Sequence, residues 1–337
     1  MASFTWQRGG ALAITAIATV GAATAAALGG RGNTVREKSV SCAEAASSGS
    51  IPAEDVVQRI AVEARSRGLD IAIGLTLQDY NRAVESDGLA LPVFGRNTTL
   101  AVLLGSSKAI WPPFIAALRA ATPPGRLETQ AKHDGPLNAY VVGATRSLVH
   151  KVLTPLGLKY DLRYAHEVEE GRLVAMQKLA HISGVAYLHP SCGLNVHAKY
   201  GPWHAYRSLI IIDMDGVPTV GPPLNPNTPE AIAAAEKALA LALESTVDST
   251  ATNSKAELDT EMRKVWRLWQ NIRVALSSPA SAPWRYEDIF DEYHFTHSPE
   301  ILARIVAGEV CAEPGERSVG STVDGVPVQL HPIKCNL

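Results

Sequence analysis

The sequence predicts an α+β fold with a largely antiparallel sheet flanked by helices. Apolar runs of strand length and segments of helical periodicity are mixed along the chain, without a regular strand–helix–strand alternation. The 337 residues are 46% hydrophobic and 19% charged, which is enough apolar material for a buried core. The sequence contains no internal repeat, dinucleotide-binding glycine motif, Walker loop or G-x-S-x-G elbow. The common nucleotide-binding and hydrolase folds are therefore disfavoured.

The elements of the first half are predicted from periodicity and from the residues that interrupt it. Apolar residues recur at helical spacing over 52–67, which predicts a helix. Apolar runs at 71–77 and 99–104 have the length of strands, and the second lies between turn-forming segments. A helix is expected over 111–121, because its two prolines fall in the first turn, where proline is tolerated. The apolar run 139–143 predicts a further strand.

The second half is predicted in the same way. A helix is expected over 172–184, where a glycine ends it, and strands are expected over 185–188 and 208–213. The segment 229–247 follows a threonine N-cap, begins with proline and is rich in alanine, so it predicts a peripheral helix. The pattern is clearest over 259–276, where large apolar residues are three or four positions apart.

The chain divides into three expected regions. Residues 1–45 form an apolar leader or anchor plus a linker, 46–310 the α+β domain, and 311–337 an irregular tail. The uncharged run 11–28 is flanked by arginines, which is typical of a leader, a transit peptide or a weak membrane anchor. An unstructured extension is the alternative. We expect a cytoplasmic protein, with mitochondrial targeting or membrane anchoring left open.

Charge and cysteine content exclude some classes of function. The chain has 31 basic and 33 acidic residues, a balance that argues against a nucleic-acid partner and against a broad anionic-membrane surface. No cysteine pair has C-x-x-C spacing, so we expect free thiols in a reducing compartment. The four cysteines are Cys42, Cys192, Cys311 and Cys335.

One face of the helix predicted over 172–184 is small and polar. Val174, Gln177 and His181 are three and four positions apart, so they share this face. Ser183 and Gly184 follow in the next turn. Such a face can hold a bulky, flat ligand, but it can also be a solvated face at a helix end. Spacing alone leaves both interpretations open.

Four histidines follow one another at intervals of eight, eight and seven residues. They are His181, His189, His197 and His204. These intervals match no standard short zinc spacing, so we predict no protein–metal site. Ordinary hydrogen-bonded histidines near a pocket are expected instead.

The stretch before the last apolar strand carries aromatic and basic groups. If 203–213 is extended, alternation places Trp203, Ala205, Arg207 and Leu209 on one side, and His204, Tyr206 and Ser208 on the other. An arginine at a strand's start can hold a carboxylate bidentately, and a tryptophan can cover a flat ring. Alternatively, Arg207 forms a salt bridge with a nearby acid. Spacing does not choose between these two roles.

Three segments of the chain resemble the cobalamin-processing family of cblC type, which are intracellular chaperones that are also cyanocobalamin reductases and alkylcobalamin dealkylases. Segment 179–187, L-A-H-I-S-G-V-A-Y, is similar to the family's A-A-H-V-A-G-A-A-Y motif. Segment 197–207, H-A-K-Y-G-P-W-H-A-Y-R, is similar to its H-P-R-F-G-G-W-F-A-x-R motif. The pairs Y-N and L-P, the apolar run 99–104 and P-F-I-A-A-L at 113–118 resemble a third block. The resemblance extends over roughly 71–308.

The resemblance implies a flavin-reductase or nitroreductase-like core that binds cobalamin with its lower base detached from cobalt. The family's contact segments fall on 174–177 and 188–190, with single contacts at Asn195 and Tyr206. His181 and Trp203 are added from the helix face and the strand. The expected cobalamin-binding residues are thus Val174, Ala175, Met176, Gln177, His181, Leu188, His189, Pro190, Asn195, Trp203 and Tyr206.

The resemblance also implies glutathione as a cosubstrate and FAD or FMN as a reductant. The family's glutathione-binding arginine in W-x-x-x-R falls on Arg207, which we expect to act in catalysis by fixing a carboxylate of the thiol peptide. Two further family arginines do not align, and the nearest basic residues are Arg285 and Arg304. The family's cysteine before H-P is Asn195 here, and the loop after His189 is short.

The resemblance predicts intracellular cobalamin processing. The expected reactions are reductive decyanation of cyanocobalamin and thiol-dependent dealkylation of alkylcobalamins, followed by transfer to a downstream cobalamin-trafficking protein. Two alternatives are a non-catalytic cobalamin carrier and a flavin-dependent nitroreductase-like oxidoreductase. A homodimer is left open.

Overall fold

A computed structural model of the chain describes residues 51–121, 135–246 and 255–308. The predicted leader, linker and tail lie outside these ranges, together with Cys42, Cys311 and Cys335. The remaining cysteine, Cys192, is a buried free thiol. Of the helices within the described ranges, none combines the length and the apolar character that a membrane crossing requires.

Helices and strands are mixed along the described chain, as the sequence predicts. The helices are α1 Ala53–Arg65, α2 Leu77–Ala83, α3 Trp111–Ala120, α4 Pro136–Leu153, α5 Met176–Ile182, α6 Pro229–Thr246, α7 Lys255–Ala275, α8 Asp288–Thr296 and α9 Pro299–Ala307. The strands are β1 Ile71–Thr76, β2 Leu100–Ser106, β3 Tyr160–Tyr164, β4 Ala186–Leu188, β5 Asn195–His197 and β6 Ala205–Ile212.

The central sheet has four strands in the order β1-β2-β6-β3, and every neighbouring pair is antiparallel. β2 and β6 lie in the middle, and both of their faces are covered. This position explains why they are continuous apolar runs rather than alternating ones. The predicted α+β fold with an antiparallel sheet flanked by helices is confirmed.

Two layers of helices enclose the sheet. α1, α3, α4, α8 and α9 pack on one face, which we call the α4 side, against Val102 of β2 and Ile210 of β6. α2 and α5 pack on the other face, the α5 side, where Leu103 and Leu209 are buried. A third apolar cluster joins α6 and α7 to the region of β5. The site residues lie around the end of the sheet where β6 begins.

One predicted strand is wrong. Residues 139–143 belong to α4, an 18-residue helix with Pro136 in its first turn. Val141, Leu148 and Val152 are buried along it at multiples of helical spacing, and this longer period outweighs the short apolar run that suggested a strand. The helix predicted over 172–184 is shorter than expected and begins at Met176.

Candidate functional site

A β-bulge in β6 changes the direction of the side chains at its start. Leu104 of β2 pairs with Ser208, but the next residue, Gly105, pairs with Tyr206. Arg207 is therefore the extra residue on β6. A bulge of this kind redirects the side chains beside it.

The predicted alternation along 203–213 is wrong for this reason. Tyr206 packs on the α5 side in the same cluster as Leu209, whereas strict alternation places them on opposite sides. Arg207 turns to the α4 side, where it contacts Ser106 and lies near Tyr286.

Gly105 makes the turned position of Tyr206 sterically accessible. A Cβ atom at Gly105 would lie 3.0 Å from the carbonyl oxygen of Ala205 and 3.2 Å from Cδ1 of Tyr206. The Tyr206 ring thus lies directly against a backbone that carries no side chain. The close approach and the bulge occur at the same pair of residues.

Arg207 is partly buried and is not neutralised by an acid within the described ranges. Its Nε donates a hydrogen bond to Oγ of Ser106 at 3.0 Å, and its Nη2 is buried without a hydrogen-bond partner there. No described carboxylate lies within 4.0 Å of the guanidinium, so the salt-bridge alternative is not observed in this part of the chain. Burial lowers the pKa of Arg207, and nearby Arg273 lowers it further.

Arg273 of α7 is a second buried cation, which was not among the residues predicted from the sequence. Its Nη2 lies 2.8 Å from Nε2 of His294, and its Nη1 lies 3.7 Å from Oδ1 of Asp291. Within the described residues, Nε and Nη1 of Arg273 form no hydrogen bond. The side chain is 5% exposed. Helical spacing could have indicated the burial of Arg273, because position 273 lies on the same face of α7 as the buried residues Trp269 and Leu276.

Asp291 compensates Arg273 incompletely. Gln270 donates a hydrogen bond to Oδ2 of Asp291 at 2.6 Å, whereas Oδ1 has no described hydrogen-bond partner. Burial raises the pKa of this carboxyl group, although Arg273 and the Gln270 bond act in the opposite direction. The pKa of neighbouring His294 is lowered by burial and by Arg273, so this ring is neutral and accepts from the guanidinium.

Arg207 and Arg273 form, with Tyr286, a cluster of buried hydrogen-bond donors, which we call the arginine cluster. The hydroxyl of Tyr286 is buried without a described partner, and its ring lies edge-on to Trp111 at 5.9 Å. Two guanidinium groups and a hydroxyl together offer several unpaired donors in a buried setting. Carboxylate and phosphate groups match such donors.

The other two predicted glutathione-binding arginines lie in different settings. Arg285 covers the Trp203 ring, with its guanidinium carbon 5.7 Å from the ring centre, and lies 3.7 Å from Asp288. Trp203 is almost fully buried, and its indole N–H donates to Ser277 at 2.7 Å. Arg304 is exposed in the last turn of α9. The structure thus places Arg285 and Trp203 together, while Arg304 is at the surface.

The segments predicted to contact cobalamin form one unit of α5, β4 and β5. β4 and β5 are antiparallel, with Leu188 opposite Asn195. The backbone N–H of Leu188 donates to Nδ1 of His181 at 3.2 Å, and the side-chain amide of Asn195 donates to the carbonyl of Gln177 at 3.2 Å. Side chain–backbone bonds therefore join the helix to both strands.

The remaining predicted contacts lie at the ends of this unit and differ in burial. Val174 and Ala175 precede α5 and are half-buried, and the N–H of Ala175 donates to the hydroxyl of Tyr80 at 3.0 Å. Met176 is buried on the α5 side, in the same cluster as Tyr206. His189 is buried and Pro190 is exposed.

The four histidines are engaged mainly with the backbone. Nδ1 of His181, His189 and His197 each accepts a backbone N–H, and Nδ1 of His204 lies 3.0 Å from the carbonyl oxygen of Gly201. Burial lowers the pKa of His197 to about 4 and that of His204 to about 3. Over the described residues, no group of three or more His, Cys, Asp and Glu side chains is arranged to hold a metal ion.

Comparison with known proteins adds a structural likeness. No protein-family profile and no curated protein sequence matches the chain. The crystal structure of CblC from C. elegans, a B12-trafficking protein and homologue of human MMACHC, matches with a TM-score of 0.55 at 18% sequence identity. The match covers 75% of this chain and 96% of that one. This chain has the CblC fold. The family that the sequence motifs resemble therefore has the same fold as this chain.

A second solved structure is more distant. Selenomethionine-labelled epoxyqueuosine reductase matches with a TM-score of 0.32 at 14% identity, over 54% of this chain and 52% of that one. A likeness of this strength carries no argument about fold or function.

Proposed function

We propose that the protein processes cobalamin, by binding it with the lower base detached and removing the upper axial ligand. The observation that carries the proposal is Arg207, a partly buried guanidinium whose Nη2 is buried without a hydrogen-bond partner among the described residues, and which has no described acid within 4.0 Å. A buried cation left in this state is costly unless a ligand supplies the counter-charge. The carboxylate of a thiol peptide such as glutathione supplies it. The likeness to the CblC fold supports cobalamin as the other ligand.

For an alkylcobalamin, the proposed reaction is a thiolate displacement. The thiol loses its proton to solvent, and the thiolate sulfur attacks the alkyl carbon that is bonded to cobalt(III). A sulfur–carbon bond forms, the cobalt–carbon bond breaks, and its electron pair stays on the metal. The products are a thioether and cob(I)alamin. With the lower base detached, cobalt loses a donor that favours the higher oxidation state.

Arg207 and Arg273 would act by positioning in this reaction. A thiol peptide held by its carboxylate has its sulfur restrained near the axial ligand, which lowers the entropic cost of reaction. Their charges also favour binding of the anionic form of the peptide over its neutral forms. The protein thus contributes binding and orientation, while cobalt and sulfur carry the bond changes.

For cyanocobalamin, the proposed reaction is a one-electron reduction. Cobalt(III) accepts an electron, the cobalt–cyanide bond breaks with its electron pair on carbon, and cyanide leaves from cob(II)alamin. Two thiols can supply electrons for two such events by forming one disulfide and releasing two protons. Reduced FAD or FMN, which the resemblance implies, is the other source of electrons.

A spectral titration tests this function. Purified protein is added stepwise to methylcobalamin up to and beyond an equimolar amount, and the absorption spectrum is expected to change to that of the base-off form. Addition of glutathione should then produce the thioether, detected by mass spectrometry, together with cob(I)alamin under exclusion of oxygen. Absence of any spectral change would refute cobalamin binding.

The same assay separates the carrier and oxidoreductase alternatives. A carrier would show the base-off spectrum but no product with glutathione or reduced flavin. A nitroreductase-like enzyme would purify with bound flavin and leave the cobalamin spectrum unchanged. The rate of decyanation of cyanocobalamin is measured with glutathione and, separately, with reduced FAD or FMN. The comparison identifies which reductant the protein uses.

A further inference from the structure

Asn195 presents a buried acceptor whose orientation is fixed. Its Nδ2 donates to the carbonyl oxygens of Gln177 at 3.2 Å and Ala186 at 3.4 Å. The reverse amide orientation would place its oxygen against two carbonyl oxygens, so the assignment is determined by the hydrogen bonds. Its Oδ1 is then left buried, with no hydrogen-bond partner among the described residues. A buried acceptor without a donor is costly, and a donor from a ligand or an ordered water would remove this cost.

The hydroxyl of Tyr206 is also left as an acceptor, because His204 takes its proton. The carbonyl oxygen of Gly201 can only accept, so Nδ1 of His204 at 3.0 Å carries the imidazole proton. Nε2 of the neutral ring then accepts from the Tyr206 hydroxyl, also at 3.0 Å. Burial lowers the pKa of His204 to about 3, so the ring stays neutral around pH 7 and Nε2 remains an acceptor.

Both acceptors lie on the α5 side of the sheet. Asn195 is bonded to Gln177 of α5, and Tyr206 packs in the same cluster as Met176 of α5. Asn195 is 6% exposed and Tyr206 is 8% exposed. The arginine cluster lies on the α4 side and offers donors. β6 therefore has hydrogen-bond donors on one side and acceptors on the other.

We propose that Asn195 and Tyr206 are specificity-determining acceptors for amide N–H groups of the ligand, and that His204 is the residue that positions Tyr206. The inference rests on the proposed function, since the corrin ring of cobalamin carries primary amides on its periphery. A neutral amide donates to such acceptors. A carboxylate at the same place has no proton to give and is repelled by their lone pairs. The α5 side therefore selects the amide over the hydrolysed acid.

The test measures binding of cobalamin and of its monocarboxylates, in each of which one peripheral primary amide is replaced by a carboxylate. Dissociation constants are determined by spectral titration at neutral pH. The wild-type protein is expected to bind at least one monocarboxylate about tenfold more weakly than cobalamin, the effect of one lost buried hydrogen bond. Equal affinity for all of the compounds would overturn the inference without the need for any variant.

Three variants assign the discrimination to residues. Asn195→Leu and Tyr206→Phe remove the acceptors, so each should reduce the preference for the amide to within about threefold for the affected compound. His204→Phe should also reduce it, because the Tyr206 proton is released and can be donated to a carboxylate. If His204 had only a structural role, His204→Phe would weaken the binding of all of the compounds equally. The ratio of the dissociation constants of monocarboxylate and cobalamin would then stay unchanged, which would overturn the positioning role of His204. Tyr160→Phe, which removes a hydroxyl from the exposed first residue of edge strand β3, is the control and should keep the wild-type ratio.

The outcomes separate this inference from the proposed function. A protein that binds and dealkylates methylcobalamin but does not discriminate between amide and carboxylate refutes the inference alone. A protein that does not bind cobalamin refutes both. The thermal unfolding temperature of each variant is compared with that of the wild-type protein. A loss of affinity is attributed to misfolding where the unfolding temperature falls as well.

Discussion

Replacement of Arg207 by methionine should separate thiol binding from cobalamin binding. Methionine keeps much of the apolar stem and removes the charge. Because Nε is already bonded to Ser106, the terminal nitrogens are what a carboxylate can use. A hydrogen bond to a charged group contributes about 1.5–3 kcal/mol. The KM for glutathione in dealkylation should therefore rise by about 10- to 150-fold, while the dissociation constant of methylcobalamin stays within about twofold.

The same variant should not lose stability. Removing one partner of a buried salt bridge typically costs about 3–5 kcal/mol, because the other charge is left unpaired. No acid within the described ranges lies within 4.0 Å of Arg207, so Arg207→Met removes a buried charge without leaving a buried counter-charge. We expect the free energy of unfolding to stay unchanged or to increase.

Initial-rate kinetics of dealkylation, spectral titration and urea unfolding measure these three quantities. Arg267→Met is the control, because Arg267 is an exposed arginine of α7 that lies 3.9 Å from Asp288 at the surface. It should leave the KM for glutathione unchanged. Equal losses of thiol and cobalamin affinity in Arg207→Met would refute the positioning role. A stability loss of several kcal/mol would show that Arg207 has an intramolecular partner.

Two further predictions concern stability. Gly201→Ala and Gly157→Ala both place alanine at positive φ, +55° and +63°, which costs about 1–2 kcal/mol in each case. The two sites differ in the space around the new Cβ atom. At Gly201 this atom would lie 2.6 Å from Ser281, whereas at Gly157 no described atom lies within 4 Å of it. Urea unfolding should show about 1–3 kcal/mol more destabilisation for Gly201→Ala, and equal losses would contradict the steric argument. Acidification should also destabilise the protein: burial lowers the pKa of His204 to about 3, so between about pH 6.5 and 3 the unfolded chain binds more protons at this residue. The contribution of His204 to the free energy of unfolding falls by up to about 1.4 kcal/mol per pH unit as the pH drops through this window. Asp291 contributes in the opposite direction, because its pKa is raised by burial. His204→Phe should therefore make the free energy of unfolding depend less steeply on pH.

The sheet was predictable because its central strands carry a strong local signal. β2 and β6 are apolar at nearly every position, and an apolar run of this length is typical of a strand covered on both faces. α4 was missed because its apolar residues form one short dense run around Val141, and only the longer period to Val152 identifies a helix. β3 was missed because it is an edge strand with an exposed first residue and a charged pair, Asp161 and Arg163.

The site was predictable only in part, because its geometry depends on pairing between distant segments. The motif residues of α5, β4 and β5 were identified, and the structure brings them into one unit. The bulge at Arg207 was not predictable from alternation, since it arises from the register against Gly105 of β2. Arg273 was not predicted, because helical spacing alone does not distinguish a buried charged residue from a solvated one. Its burial is set by contacts with α8, which follows it in the chain.

The bulge links the two proposed halves of the site. In a regular strand, residues 206 and 207 also point to opposite sides, but the sides would be exchanged. Arg207 would then lie with Leu209 on the α5 side, facing Asn195 and its neighbours, and Tyr206 would lie against the arginine cluster. One inserted residue instead places the cation beside Arg273 and the tyrosine beside α5. An insertion of one residue between Leu104 and Gly105 of β2, which would give Arg207 a partner and restore regular pairing, would therefore be expected to abolish both functions together, because Arg207 would then face acceptors of the α5 unit and Tyr206 would face the arginine cluster.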